Sequence, residues 1–180
     1  MNKKCCIIIP IHTIDELYFE ELSIKNVINL YYNRYDIYML YPEMQNVSLF
    51  KNKYSKYDKL IFKHIPEWKE DSIFAYNDMC LNKKFYNHFS KYEFMLIAQP
   101  DSFILRDDLE YWMNAGYDYI GSPEYIYEIC KCNNTKISVK DFIQCEYFLN
   151  FNGGLSLRKI KSFINAIKEI DKIKINKHII

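Results

Sequence analysis

Glycine is scarce: among 180 residues it occurs only at positions 116, 121, 153 and 154. That excludes G-x-G-x-x-G after a strand and the P-loop G-x-x-x-x-G-K, and with them dinucleotide-binding dehydrogenases and P-loop NTPases. G-x-S-x-G, H-E-x-x-H and an EF-hand loop are missing too, which removes most support for hydrolase readings. Excess charge is equally absent. Lys plus Arg number 24 against 23 Asp plus Glu, a formal charge of +1, so no global field favours nucleic acid or an anionic membrane. No apolar run approaches the roughly 20 residues that span a bilayer. The longest near the start, Cys5 to Ile11, is interrupted by Pro10. Lys3 and Lys4 imitate a signal peptide's charged start, but Asp15 and Glu16 follow soon after without a small-residue cleavage site. A cytoplasmic protein is expected.

The six cysteines, at 5, 6, 80, 130, 132 and 145, are scattered through a chain large enough to fold without staples, so they read as reduced thiols. Cys130, Cys132 and Cys145 could be drawn together around zinc, yet C-x-C lacks the usual gap of two to four residues. With 49% hydrophobic and 26% charged residues, the composition suits one ordinary folded domain over 1–180. Neither a repeat nor a linker divides it.

Hydrophobic patterning gives strands alternating with helices. Cys5–Ile11 reads as a strand buried on both faces, and Asp15–Tyr32 as a helix with its stripe at Leu17, Leu22, Ile24, Val27, Ile28 and Tyr31. Asp36–Leu40 and Lys59–Phe62 are further strands, with a short helical stretch over Val47–Tyr54 between them. Ser72–Phe89 is helical, and Phe94–Ala98 is the strongest strand of the middle. Asp107 and Asp108 are expected to cap a short helix containing Tyr111 and Trp112. Asn114-Ala115-Gly116 stops that helix, Tyr117–Ile120 forms a strand, and Gly121-Ser122-Pro123 breaks it. Tyr111, Trp112, Tyr117 and Tyr119 are expected in the core. Ser138–Phe151 is ambiguous; a strand at Leu155–Leu157 and a helix from Lys159 to about Ile170 close the pattern. The fold expected is α/β, a largely parallel sheet flanked by helices on both faces.

Ligands gather at the carboxyl ends of strands in such a sheet, and Phe94–Ala98 runs straight into Gln99-Pro100-Asp101-Ser102. Asp101 is placed either to hold a hard cation or to cap a turn. Gly153 and Gly154 permit close backbone approach to a ligand, or simply a tight turn. Arg158 could meet phosphate, although a solvated arginine before a helix is the commoner arrangement.

The segment from Phe94 to Pro123, together with Asn152-Gly153-Gly154-Leu155-Ser156-Leu157-Arg158, resembles an uncharacterised bacterial and viral glycosyltransferase-like family of the GT-A type. The helix with Tyr76-Asn77 and Lys84-Phe85-Tyr86 and the opening Ile-Pro-Ile are similar to it as well. The resemblance implies a GT-A-like, Rossmann-like domain that binds a nucleoside diphosphate sugar through Mn²⁺ or Mg²⁺ and transfers the sugar to a surface glycan. It implies that Asp101 matches the second acid of the D-x-D motif and holds the metal, with Gln99 in place of the first. Asn152, Gly153 and Gly154 correspond to the donor-sugar and acceptor side, and His12, Tyr76 and Asn77 to the nucleobase subsite. Relatives continue into an acidic, aromatic stretch beyond the last helix, so a C-terminally truncated domain is expected. No catalytic base is assigned among Glu124, Glu128 and Asp141. Two rival roles follow: a non-catalytic remnant, and a partner-binding module with a tyrosine-rich surface.

Overall fold

The computed structural model describes residues 4–11, 17–43, 45–70, 72–124 and 150–177. His12, the cysteines at 130, 132 and 145, Glu128 and Asp141 lie outside the described residues, as does most of the ambiguous Ser138–Phe151 stretch. The elements are β1 (Cys5–Pro10), α1 (Tyr18–Tyr31), β2 (Asp36–Tyr41), α2 (Ser48–Lys53), β3 (Ile61–His64), α3 (Ile73–Cys80), α4 (Lys83–Asn87), β4 (Phe94–Ala98), α5 (Leu109–Asn114), β5 (Tyr119–Glu124), β6 (Asn150–Lys159) and α6 (Ile160–Lys177).

The six strands form one sheet in the order β3-β2-β1-β4-β6-β5. β3, β2, β1 and β4 run parallel, whereas β6 is antiparallel to both β4 and β5. The sheet is therefore parallel except for β6, which runs against both of its neighbours. β1 lies near the middle and every one of its residues is buried. Its two faces serve two cores. Cys5, Ile7 and Ile9 meet Ile24, Val27, Ile28 and Tyr31 of α1, while Cys6 and Ile8 face Trp68, Met79, Phe85 and Phe89 together with Ile160 and Ile167 of α6. Each buried isoleucine contributes about 1.5–3 kcal/mol, which is why this strand is a continuous apolar run rather than an alternating one.

Several boundaries differ from the sequence reading, for local reasons. The helix expected over Ser72–Phe89 is two helices, because Asn82 forms a second cap. Ser72 Oγ accepts from Ala75 N at 3.1 Å to start α3, and Asn82 Oδ1 accepts from Lys84 N at 2.9 Å to start α4. Gly121-Ser122-Pro123 does not end β5, which continues to Glu124. β5 is the outermost strand, where a proline's missing N–H costs no ladder bond. Gly116 does stop α5, with φ of +85°.

Tyr111, Trp112 and Tyr117 are not core: all three are exposed, Tyr111 at 66%. Leu109 and Met113 take the buried face of α5 instead. Leu17 and Leu22 are exposed as well, since the buried stripe of α1 runs through Glu20, Ser23, Ile24, Val27, Ile28 and Tyr31. Neither Asp107 nor Asp108 caps α5 with its side chain; Asp107 pairs with Arg34, and Asp108 with Arg106. Among the described residues no helix is long and apolar enough to cross a membrane.

Cys5 and Cys6 are free and fully buried. Burial pushes the Cys5 thiol up to about 12, against a weaker pull from its hydrogen bond with the Leu96 backbone, and it raises Cys6 too, helped by the neighbouring Cys5. The folded state thus holds the Cys5 proton more tightly than the unfolded chain. Its contribution is complete below about pH 8.5 and is lost as pH rises toward 12, at about 1.4 kcal/mol per unit. Stability is expected to fall between pH 9 and 11 by roughly 2–3 kcal/mol from this thiol. Denaturation midpoints across that range should show a shallower decline in Cys5→Ala than in the wild type.

Candidate functional site at the carboxyl edge of the sheet

β4 is entirely buried and delivers Gln99, Pro100 and Asp101 to the carboxyl edge of the parallel strands. Ser102 closes the turn that follows. Its N–H donates to Gln99 O at 2.9 Å and its Oγ donates to the same oxygen at 2.6 Å. Asp101, at the turn's tip, is exposed, and its carboxylate makes no hydrogen bond or ion pair among the described residues. Turn closure therefore falls to Ser102.

The neighbouring strand brings the glycine pair to this turn. β6 pairs with β4 through Ala98 and Leu155, and the ladder continues as Gln99 N–H donates to Gly154 O at 2.7 Å. On its other side, β6 slips register against β5: Gly121 opposes Ser156, but the next residue, Ser122, opposes Asn152. Gly153, Gly154 and Leu155 bulge out of that pairing. The structure thus sets Gln99 and the Asn152–Gly154 backbone side by side, two residues from Asp101.

Beneath the glycines lies Arg158. It is only 6% exposed, contrary to the solvated arginine expected from the sequence, because β6 places it on the same face as Ser156, against α4 and α6. Its Nε donates to Ser156 Oγ at 3.1 Å, one terminal nitrogen to Tyr86 Oη at 2.9 Å, and the other to Gly153 O at 3.3 Å. Ser156 Oγ donates to Gly153 O at 2.8 Å, and the Phe163 ring lies 5.3 Å from the guanidinium carbon. Burial opposes the charge, but the Tyr86, Cys80 and Tyr76 side chains around it raise the guanidinium pKa above its ordinary value. Arg158 is a cation at any physiological pH. Tyr86 is pushed up to about 12 by burial, with Arg158 pulling the other way.

Tyr76 joins this group from α3. Its hydroxyl is enclosed beside Gln99 and Cys80 without a hydrogen bond of normal geometry, and its ring meets Trp68 edge-on at 5.5 Å. Burial, then Cys80, raises its pKa. Asn77, one residue on, is exposed. Of the sequence-derived candidates, Gln99, Gly153, Gly154 and Tyr76 come together, and Asp101 follows two residues beyond Gln99. The sequence reading weighed Arg158 for phosphate but missed its link to Tyr86 and Ser156. The available signal was the period-two spacing of Ser156 and Arg158 about Leu157, which puts both on one face of the strand.

A cavity of about 250 Å³ opens on the opposite face of β6, between α5 and β5, with Trp112, Leu96, Ile104 and Ser122 in its wall. Its lining is mostly apolar and includes none of Gln99, Asp101 or Gly153. Its polar lining is Arg106, Asp108, Ser122 and Ser156; the turn and glycine segment, at the carboxyl edge of the parallel strands, are the candidate that the topology favours. Among the described residues no three His, Cys, Asp or Glu side chains are gathered for a metal ion. Asp101 alone still fits a hard cation that draws its remaining ligands from phosphate and water, the usual arrangement for Mg²⁺.

No curated protein is detectably similar in sequence. Solved structures share the architecture. Core-mannan synthase A (CmsA/Ktr4) from Aspergillus fumigatus, in a Mn/GDP form, superposes with a TM-score of 0.57 at 10% identity, over 94% of this chain and 64% of that one. The mannosyltransferase Ktr4p from S. cerevisiae, in complex with GDP, gives 0.56 at 14% identity, over 93% and 61%. The mannosyltransferase PcManGT from Pyrobaculum calidifontis, with GDP-Man and Mn²⁺, gives 0.50 at 11% identity, over 87% and 44%. This chain spans less than two thirds of each of these proteins. At such low identity the likeness establishes the fold, that of the GT-A-like glycosyltransferases. A family model covers residues 59–179, which contain the β4 turn, the glycine pair and Arg158, and by that match the protein belongs to the family described as protein of unknown function (DUF5672).

Proposed function

We propose that this domain binds a nucleoside diphosphate sugar with a divalent cation, Mn²⁺ or Mg²⁺, and transfers the sugar to a glycan acceptor in the cytoplasm. The observation that supports the reading is Asp101, exposed and with no partner for its carboxylate among the described residues, in the turn after β4 whose Gln99 N–H bonds Gly154 O. Asp101 would hold the cation, and Gln99, Asn152, Gly153 and Gly154 would contact the sugar and phosphates. His12, Tyr76 and Asn77 are assigned to the nucleobase side. A bound cation supplies charge neutralisation for the departing diphosphate. The chain's own part is to orient the donor: glycine brings the backbone close, and backbone amides and the Gln99 amide offer hydrogen bonds to hydroxyls. GDP-mannose is the first donor to try, because the structural neighbours carry GDP or GDP-Man.

A thermal-shift panel of nucleoside diphosphate sugars, each with and without Mn²⁺, tests this directly. A donor at 100 times its Kd stabilises the folded state by about 2.7 kcal/mol, which for a chain of this size raises the midpoint by roughly 5–10 °C. The shift should require the cation. Silence with every donor at millimolar concentration defeats the proposal. A shift without transfer to any glycan acceptor would favour the non-catalytic remnant.

A further inference from the structure

Arg158 is buried, charged, and paired with no carboxylate among the described residues. Burying a guanidinium is costly, and among the described residues it is offset by hydrogen bonds to neutral groups. All three of its nitrogens are engaged, and one reaches Gly153 O, which Ser156 Oγ also serves. Gly153 sits where β6 has left its ladder with β5, so Arg158 and Ser156 supply the bonds that a strand neighbour would otherwise give. The next carbonyl, Gly154 O, receives the Gln99 N–H. A fixed chain of contacts therefore runs from Arg158 through the glycine peptide to the turn that presents Asp101. A Cβ on Gly153 would stand 2.9 Å from the Arg158 guanidinium, so a larger residue there must displace that group.

We propose that Arg158 is a positioning residue, holding the Gly153–Gly154 segment from beneath in register with the Gln99–Asp101 turn. Its consequence for ligand affinity rests on the donor-site reading above. The competing role is structural only: through Tyr86, Arg158 also ties α4 to the sheet. Three variants separate the two. Arg158→Met is expected to speed amide hydrogen exchange at Gln99 and Ser156 about tenfold or more, while the amides of β1 and β2 keep their protection. Donor affinity in Mn²⁺, measured well below the unfolding midpoint, should fall about 10- to 100-fold, the range seen when a supporting residue behind a site is lost. Arg158→Lys should recover part of both, since an ammonium can still reach one acceptor. Tyr86→Phe cuts the tie to α4 but leaves Gly153 O engaged, so donor affinity should stay within about threefold.

Gly153→Ala displaces the guanidinium without removing its charge, and it should reproduce the exchange pattern of Arg158→Met; it carries the test if that variant does not fold. Unchanged exchange at Gln99 in both variants overturns the proposal, as does a Tyr86→Phe protein that loses affinity in full. Should the wild type bind no donor, the donor reading fails on that result alone, and the exchange rates still decide whether Arg158 holds the turn.

Discussion

Asp101→Ala is expected to abolish the Mn²⁺-dependent part of donor binding while moving the unfolding free energy by no more than about 0.5 kcal/mol. The asymmetry comes from what the carboxylate touches. It is exposed, it makes no bond to the described residues, and the turn beneath it is closed by Ser102, so the folded state gives up little when it goes. In the proposed complex the same carboxylate is the protein's ligand to the cation. Losing it costs several kcal/mol of charge stabilisation, at least roughly a hundredfold in affinity. Calorimetric titration of GDP-mannose with and without Mn²⁺ gives the first quantity, and denaturant unfolding gives the second. Asp101→Asn, which keeps the shape and discards the charge, should behave like the alanine. A protein that melts lower with unchanged donor affinity would assign Asp101 to the turn and end its metal role.

Trp68→Ala should cost about 3–5 kcal/mol, enough to consume much of the stability of an ordinary domain. Trp68 is 1% exposed and packs in the core between the sheet and α3, with Tyr76 against its ring. Truncation leaves a large hole that a close-packed interior fills only in part. Trp68→Phe is expected to cost far less than the lost volume alone suggests. Among the described residues the buried indole N–H has no hydrogen-bond partner, so removing it relieves a desolvation penalty. Denaturant midpoints for the two variants should be well separated. Near-equal losses would mean that the indole nitrogen is satisfied in solution.

The order of strands and helices was readable because β1 and β4 are unbroken apolar runs and the stripe of α1 keeps its period. Both are properties of a chain segment by itself. The candidate turn was readable for the same reason: an acid directly after a buried strand has a known edge to sit on. What stayed hidden depended on partners distant in sequence. The reversal of β6 cannot be read from Asn150–Lys159, since direction within a sheet belongs to a pair of strands. Arg158 looked like a surface residue until Tyr86, 72 positions earlier, was seen to meet it. Tyr111 and Trp112 misled because aromatic character was taken as burial, when Leu109 and Met113 already filled the inward face of α5.

The central position of β1 bears on how the protein is made. Its first edge finds β2, which ends at Tyr41, but its second edge waits for β4, whose pairing begins at Phe94. During synthesis β1 therefore emerges well before β4 and stays half-matched until Phe94–Ala98 has followed it. An unpaired apolar strand edge is a template for other chains, and the wait is long because distant pairing must overcome the entropy of closing a large loop. Yield from a cell should accordingly depend on translation speed and chaperone supply more than on the stability of the finished fold.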